Sequence, residues 1–413
     1  MSDSSRKKHT PKLPPRLATA VEAIRRGEMV ILIDSEDREN EGDLVMAAQF
    51  ATAEKINFFI REARGLVCLP LEASKIDQLG LPPMVSENQS TRKTAFTISI
   101  EAASGISTGI SAQDRAHTIQ VAARADSTRA DLASPGHVFP LRAVPGGVLE
   151  RAGHTEGSIE LCKLADLTPA AAICEIINED GTMARRPDLD RFSKKHGIPI
   201  VTIEEIIAYR TTTERWLQPS HQARFPTRFG EGQLQVQSFR NPFTGAEHAA
   251  IFTEKQGQIP LVRIHSECLT GDSLGSLRCD CGEQLRAALE RITKDEQGGM
   301  LVYLKNQEGR GIGLWNKIEA YSLQDQGKDT FDANLELGFH PDPRHYHEAA
   351  AILHATGMTR IRLLSNNPNK KTELESLGIE VVEEINLSLP PNPANFDYLK
   401  AKRERFHHRI DLL

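Results

Sequence analysis

Cys268, Cys279 and Cys281 lie within fourteen residues, in the run HSECLTGDSLGSLRCDCGEQL, and they are three of only six cysteines in the chain. Their spacing is C-x10-C-x-C, and no fourth cysteine follows at C-x2-C spacing. Three thiolates so close together suit a zinc ion. Zinc held by three protein ligands keeps an open position, which points to an activated water and hydrolysis rather than to a structural staple. Three buried free thiols are the alternative for the same residues. Glu267 precedes the first cysteine and is placed to move protons on a bound water; Gln284 follows on a predicted helix start.

A second set of chemical groups lies in the first half. Asp34, Glu36, Asp37, Glu39, Glu41 and Asp43 fall within ten residues around Arg38. Such a run reads as a solvated face or, because it follows an apolar strand, as an oxygen-rich ligand site. Oxygen clusters that use few ligands suit Mg²⁺, which keeps waters and binds phosphorylated or polyol substrates. The run PGHVFPLRAVPGGVLERAGHT brings His137, Arg142, Arg151, His154 and Thr155 among glycines, a composition that suits an anion cradle. Ser107–Arg115, STGISAQDR, precedes a predicted helix, so it is either a phosphate seat or an ordinary cap. Glu175 sits inside the apolar run CEIIN, where burial would raise its pKa and suit it to acid–base work.

Further polar groups follow in the second half. EGRGIG lies between a predicted strand and a predicted helix, without P-loop spacing, and its Arg310 can grip phosphate through two hydrogen bonds. Asp342 and Arg344 flank Pro343, and Ser365, Asn366, Asn367 and Lys370 follow another strand as a polar pocket edge.

The elements that must position these groups are mixed. The apolar spacing predicts helices over Leu17–Arg26, Ala53–Ala63, Asp114–Ala123 and Ser158–Leu164. It predicts strands over Met29–Asp34, Gly65–Leu71, Thr94–Ile100, Ala171–Ile177 and Ile198–Ile203. Thr211–Phe229 has no clear periodicity and marks a domain boundary near residue 215. Strands resume at Leu234–Phe239, Leu261–Ile264, Met300–Leu304 and Arg360–Ser365, with helical spacing at Leu285, Ala288, Leu289 and Ile292. The last twenty-five residues, Pro-rich and then basic, read as a surface tail. The fold class is therefore α/β (mixed α+β layers): two domains, each a mixed sheet packed with helices. A length of 413 residues supports two domains of about 200 residues each. The expected division is a basic leader over 1–16, a first domain over 17–213 and a second over 214–413.

A net charge of −6 argues against general nucleic-acid binding. A zinc-dependent nucleic-acid module is the rival that charge and the missing second C-x2-C disfavour. The leader carries Arg6, Lys7, Lys8, Lys12 and Arg16 but no apolar segment, so it is not a secretory signal. No run is long and apolar enough to span a membrane. Six cysteines in so long a chain suit a reducing, cytoplasmic setting.

DSEDRENEGD, STGISAQDR, PGHVFPL, RAGHTE and CEIINEDGTMAR, in that order, closely resemble 3,4-dihydroxy-2-butanone 4-phosphate synthase over about residues 17–210. The resemblance implies conversion of ribulose 5-phosphate to the four-carbon phosphate and formate, with Mg²⁺ or Mn²⁺. It implies Glu39 and His154 as metal ligands. Arg38, Asp43 and the stretch Arg151, Ala152, Gly153, His154 and Thr155 become substrate contacts, with Glu39 and Glu175. His137 and Glu175 become catalytic groups. Arg92 and Lys93 fill a stretch that varies among relatives and receive no role.

HSECLTGD, GSLRCDCGEQL and the runs after them resemble GTP cyclohydrolase II over about residues 225–385. The resemblance implies Zn²⁺ on Cys268, Cys279 and Cys281, with Mg²⁺ accompanying GTP. It implies GTP contacts from Arg263, Ile264, His265, Ser266, Glu267, Gln284, Glu308, Gly309, Arg310, Thr330, Ser365 and Lys370. Asp342 becomes the general base, and Tyr321 a further site residue. The family casts Arg344 as a nucleophile toward the α-phosphorus, although a guanidinium stays protonated and suits charge stabilisation better. Ser365 stands where threonine is more usual, and HYHEAAAIL replaces the usual continuation after Arg344. The two resemblances together imply a bifunctional enzyme of riboflavin biosynthesis, expected as a homodimer. The alternative is an active synthase with a catalytically weak or regulatory second half.

Overall fold

The computed structural model describes residues 12–230, 233–339, 342 and 344–411. The expected basic leader lies outside them up to residue 11. The chain forms two compact units, one ending at Arg210 and the other beginning at Thr211.

The first unit is built on a seven-stranded sheet. Its order is Ile100–Ala102, Leu132–Ala143, Cys68–Glu72, Ala171–Glu175, Gly42–Ala47, Val30–Ile33 and Ile200–Thr202. Two neighbouring pairs are parallel and the rest antiparallel. Alternation along the strands explains the layers. Ile31, Ile33, Leu44 and Met46 face one core, shared with Ile56, Ile119 and Leu189 from helices. Val30, Leu32, Val45 and Ala47 face the other, against Leu17, Val21 and Ile24 of helix Pro15–Arg25 and Leu161 of helix His154–Leu164. Each such buried aliphatic side chain contributes roughly 1.5–3 kcal/mol. Helices therefore cover both faces of a mixed sheet, as the sequence implies.

The second unit carries an eight-stranded path in the order Glu380–Ile385, Arg360–Leu364, Leu261–Ser266, Gly299–Leu304, Glu247–Thr253, Leu234–Arg240 and Gln218–Pro219, with Ala223–Arg224 also on Leu234–Arg240. The first four strands run parallel. Helix Cys281–Lys294 lays Ala288, Leu289 and Ile292 on this sheet, beside Leu261, Leu301 and Leu364. That face is the one its spacing predicted.

Several expectations are corrected. Thr94–Ile100 is not a strand: pairing is limited to isolated bridges at Phe96 and Thr97, and the strand begins at Ile100. The helix expected over Ala53–Ala63 changes at Phe59 from an α-helical to a wider π-helical turn. The glycine-containing run around His137 belongs to the twelve-residue strand Leu132–Ala143. The expected surface tail instead forms helix Phe396–Phe406, anchored by buried Leu399 and Ala401, and Ile410 beyond it is buried as well.

Candidate active sites in the two units

The acid-rich run forms a turn between two paired strands. Asp34, at the end of Val30–Ile33, accepts the backbone N–H groups of Glu39 (3.0 Å) and Glu41 (2.9 Å) and the Arg38 guanidinium at 2.9 Å. Asp34 therefore holds the turn. Glu39 is left facing His154, whose Nδ1 lies 3.6 Å from its carboxylate. His154 Nε2 lies 3.9 Å from Asp43 Oδ1, and both atoms are buried without a hydrogen-bond partner among the described residues. Buried orphan atoms of opposite character at one point suit a ligand that both can hold. Ligand atoms of Asp34, Glu39 and His154 lie within 4.8 Å of one another, so the residues fit a cation.

The electrostatics agree with that geometry. Glu39 is lowered to about 2 by its hydrogen bond to His154, with Arg38 adding. Burial raises Asp43 to about 7. Burial lowers His154, but Asp43 and Glu39 more than offset it and carry it to about 9. The cation-free site thus holds a proton that a metal would displace.

His154 and Thr155 open helix His154–Leu164, with Gly153 at its N-cap. A side chain on Gly153 would meet Arg151 Nη1 at 2.3 Å and Arg38 Nη2 at 3.0 Å. Glycine there lets two guanidinium groups crowd the helix start, which attracts anions. Arg151 is steadied by Glu156 at 2.7 Å and Thr94 at 3.0 Å. Ala152 packs against the core. Glu175 lies directly across the ladder from Asp43, and its carboxylate accepts the Leu66 N–H at 2.8 Å. Glu175, Asp43, Glu39, His154 and the Arg38–Arg151 pair therefore form one neighbourhood.

His137 does not join it within one chain. Its strand is three places along the sheet from that of Asp43, roughly 14 Å at ordinary strand spacing. Its Nδ1 instead makes a short hydrogen bond with Glu101, a partner not recognised from sequence. The STGISAQDR loop closes over this pair. Asp114 accepts the Ser107 hydroxyl at 2.7 Å and the Gly109 N–H at 3.0 Å, and Ser111 caps the following helix. Of the two alternatives for that loop, the structure shows the helix cap.

The second site lies where three parallel strands end. Leu261–Ser266 leads to Cys268, Gly299–Leu304 to Glu308–Arg310, and Arg360–Leu364 to Ser365–Asn367. Carboxyl ends of such strands are the usual ligand position. A solvent-open cavity sits here. The three cysteine sulfurs lie within 4.8 Å of one another, with Cys268 and Cys279 at 3.7 Å. Hydrogen bonds from Cys279 and Cys281 hold the Cys268 thiol far below its ordinary value, while Cys279 is pushed up to about 11. Three converging sulfurs competing for ionisation are the donor set that a zinc dication satisfies.

Most of the residues expected to contact nucleotide line this cavity: Arg263, His265, Ser266, Glu267, Gln284, Gly309, Arg310, Thr330, Ser365 and Lys370. Ile264 does not; it is buried, and its carbonyl accepts Lys370 Nζ at 2.7 Å. Glu308 does not line it either: its carboxylate holds the Leu269 N–H and Lys317. Gly309 and Arg310 both have positive φ, 60° and 65°, so this turn aims Arg310 at some backbone cost. Asp342 and Arg344 form a two-pronged ion pair at 2.6 and 2.5 Å, and Arg344 also reaches Ser266 Oγ at 3.4 Å. Asp342 is held well below the usual carboxylate range by Arg344 against the opposing effect of burial. HYHEAAAIL makes helix His347–Thr356, whose Ala349–Leu353 are all buried, so its alanines pack rather than disturb Arg344.

Sequence reading missed Lys317, Asn334, Tyr398, Lys402 and His408. Lys317 reaches Cys268 Sγ at 3.2 Å and Thr270 Oγ1 at 2.9 Å. Tyr321, which was expected here, lies 3.4 Å from the same threonine. A lysine four places before Tyr321 on one helix face was the available signal. The cavity is crowded with cations. Burial, with Arg263 and Arg344 nearby, pushes Lys370 well below its ordinary value. Burial and then Lys402, Arg344 and Arg310 push His408 down to about 2. Such a pocket favours a polyanion.

Residues 18–209 match the family of 3,4-dihydroxy-2-butanone 4-phosphate synthase, and residues 218–386 match GTP cyclohydrolase II. The riboflavin biosynthesis protein RibBA of Salinispora arenicola is 48% identical over 394 residues, 95% of this chain and 93% of the relative. That of Aquifex aeolicus is 49% identical, over 94% and 96%. A solved structure from A. baumannii, RibBX, described as a two-domain 3,4-dihydroxy-2-butanone 4-phosphate synthase, aligns with a TM-score of 0.69 at 38% identity over 90% of this chain and 99% of that one. Two converging side-chain clusters, two family matches and relatives that span almost the whole chain lead to one conclusion: the chain belongs to the family of bifunctional riboflavin biosynthesis proteins that join a 3,4-dihydroxy-2-butanone 4-phosphate synthase to a GTP cyclohydrolase II.

Proposed function

We propose that the two reactions run at the two clusters described above. The first unit takes D-ribulose 5-phosphate to L-3,4-dihydroxy-2-butanone 4-phosphate and formate. The second takes GTP to 2,5-diamino-6-(5-phosphoribosylamino)pyrimidin-4-one, formate and diphosphate. The observation that carries this reading is that a cation-suited carboxylate–imidazole cluster and a three-thiol cluster beneath a cationic cavity occur in separate units.

In the first site Glu39 and His154 would hold Mg²⁺ or Mn²⁺. When bound, the ion polarises adjoining hydroxyl and carbonyl oxygens and acidifies the proton on the carbon between them. Arg38, Arg151 and the backbone from Ala152 to Thr155 bind and orient the phosphorylated sugar. Asp43, at about 7, is matched to proton transfer near neutrality, with Glu175 beside it. His137 is the remaining catalytic group; its Nδ1 is engaged by Glu101, which leaves Nε2 for proton transfer. Its separation from the cluster supports a homodimer in which each chain's His137 serves the other's site. Mixing inactive His137→Ala and His154→Ala chains would then recover activity; no recovery would sink that arrangement.

In the second site Cys268, Cys279 and Cys281 would hold Zn²⁺. When bound, the ion supplies a water acidic enough to attack an electrophilic carbon at neutral pH. Gln284 and Arg263 orient the base, and Arg310, Lys370 and Arg344 take the phosphates, where Mg²⁺ accompanies the nucleotide. Arg344 is pushed above its ordinary value by Tyr346 and Asp342 despite burial, so it stabilises phosphoryl charge as a cation. Asp342 is a weak base while paired to Arg344. Phosphates that draw Arg344 away would raise it toward its expected role.

One specific observation favours a second reading, an active synthase with a weak second half. The A. baumannii relative is described by its synthase activity alone although it is a two-domain chain. Formate release from GTP by the zinc-loaded whole chain separates the two. Release supports two working sites, and intact GTP leaves only the synthase.

A further inference from the structure

The match to GTP cyclohydrolase II ends at residue 386, yet the chain beyond it closes one wall of the nucleotide cavity. Tyr398, Lys402 and His408 all line that cavity. The segment is seated firmly. Leu399, Ala401 and Ile410 are buried, Asn395 is 0% exposed, and the Arg409 N–H donates to the Asn366 carbonyl at 2.9 Å. Arg310 of the phosphate turn stacks its guanidinium 4.0 Å from the Phe406 ring.

Lys402 is the chemically informative residue. Its Nζ donates to Asp280 Oδ1 at 2.7 Å, and Asp280 is the residue between Cys279 and Cys281. The other Asp280 oxygen accepts Gln284 Nε2 at 2.5 Å. The Gln284 carbonyl oxygen accepts the Arg263 guanidinium, which also donates to the Leu364 carbonyl at 3.0 Å. Lys402, Asp280, Gln284 and Arg263 are thus one relay, buried except for a partly exposed Lys402, and all but Asp280 line the cavity. The relay decides which way the Gln284 amide points. An amide that gives its N–H to a carboxylate must present its oxygen to the guanidinium. Without a cation on Asp280, its buried carboxylate would be drawn toward other donors and the amide would lose its reference.

We propose that Lys402, outside the matched domain, is a positioning residue of the GTP cyclohydrolase site: through Asp280 it fixes Gln284 and Arg263 in the orientation that receives the nucleoside triphosphate, and with Tyr398 and His408 it forms a working wall of that site. The proposal rests on the assignment of GTP turnover to the second unit. It does not touch the first unit's chemistry.

The test uses the full chain carrying Lys402→Met, with Lys402→Arg as rescue and Lys400→Met, exposed on the same helix, as control. Lys402→Met should lower kcat/KM for GTP by about 10- to 100-fold, the scale of lost supporting contacts around a metal site. Zinc content and ribulose 5-phosphate turnover should stay at the unmodified level. Lys402→Arg should restore most of the loss, and Lys400→Met should have none. The proposal is overturned if Lys402→Met turns over GTP like the unmodified chain, or if it loses zinc together with activity. An unmodified chain that leaves GTP intact overturns the underlying assignment as well. Should Lys402→Met fail to fold, the pair Asp280→Asn with Lys402→Met leaves no lone buried charge. The same outcomes then decide.

Discussion

The two sites solve opposite electrostatic problems. The first gathers carboxylates around one histidine: burial raises Asp43, with Glu175 and Glu39 adding, and Asp43 and Glu39 raise His154 against the effect of burial. The second gathers Arg263, Arg344, Lys370 and Lys402: burial depresses Lys370 and His408, and the neighbouring cations push them the same way. An acidic cluster suits a cation that recruits a small phosphorylated sugar. A basic cavity suits a ligand that brings several negative charges of its own. The sign of the local excess therefore distinguishes the substrates before any metal is considered.

The sharpest way to break this comparison is to remove one cluster at a time. Cys279→Ser should lose zinc and lower GTP turnover on the order of a thousandfold or more, while ribulose 5-phosphate turnover is kept. His154→Ala should do the reverse, by a similar factor. Metal analysis beside paired assays checks both, and loss of both activities from either change would contradict separate sites.

A smaller effect sharpens the first site. Glu101→Gln keeps the shape but removes the charge that orients His137, and it should slow ribulose 5-phosphate turnover about 10- to 100-fold with KM little changed. Steady-state kinetics of that variant would show no such fall if His137 has no catalytic part.

The pH dependence of the same site has a defined sign. In the cation-free site His154 keeps its proton up to about 9, and Asp43 up to about 7. Magnesium must displace those protons. Apparent Mg²⁺ affinity should therefore rise as pH increases, by about tenfold per unit between 7 and 9 where one proton is released, and level off above. Calorimetric titration at several pH values measures this. An affinity that is flat or falling across that window would remove His154 from the ligand set.

The smallest expected effect concerns the loop. Asp114→Asn weakens the hold on Ser107 and Gly109 and should raise KM for ribulose 5-phosphate a few-fold, with GTP kinetics unchanged.

Much of this was legible in the residues. MVILID announced a strand buried on both faces, and the spacing of Ala288, Leu289 and Ile292 announced the face of helix Cys281–Lys294 that meets the sheet. The three cysteines stood out because zinc ligation would restrict residue type and spacing, whereas the Glu39–His154 pair came only through the resemblance of DSEDRENEGD and RAGHTE to the synthase family. Other parts were not. Glu247–Thr253 is a central strand whose middle is two alanines, which carry little strand preference. Glu380–Ile385 is an edge strand with three glutamates, and the exposed Glu380 and Glu383 hide its strand pattern. Lys402 was invisible because its meaning depends on Asp280, 122 positions away, and a basic tail reads as solvated until its partner is known. His137 and Glu101, 36 apart, pose the same problem.

The central claim is that one chain carries two independent, working sites. Formate release by the whole chain, measured separately on ribulose 5-phosphate and on GTP with bound zinc quantified, tests it most directly. Formate from both substrates, with Glu39→Ala abolishing only the first release and Cys279→Ser only the second, is the predicted result. Zinc-loaded chain that leaves GTP intact while consuming ribulose 5-phosphate would contradict it.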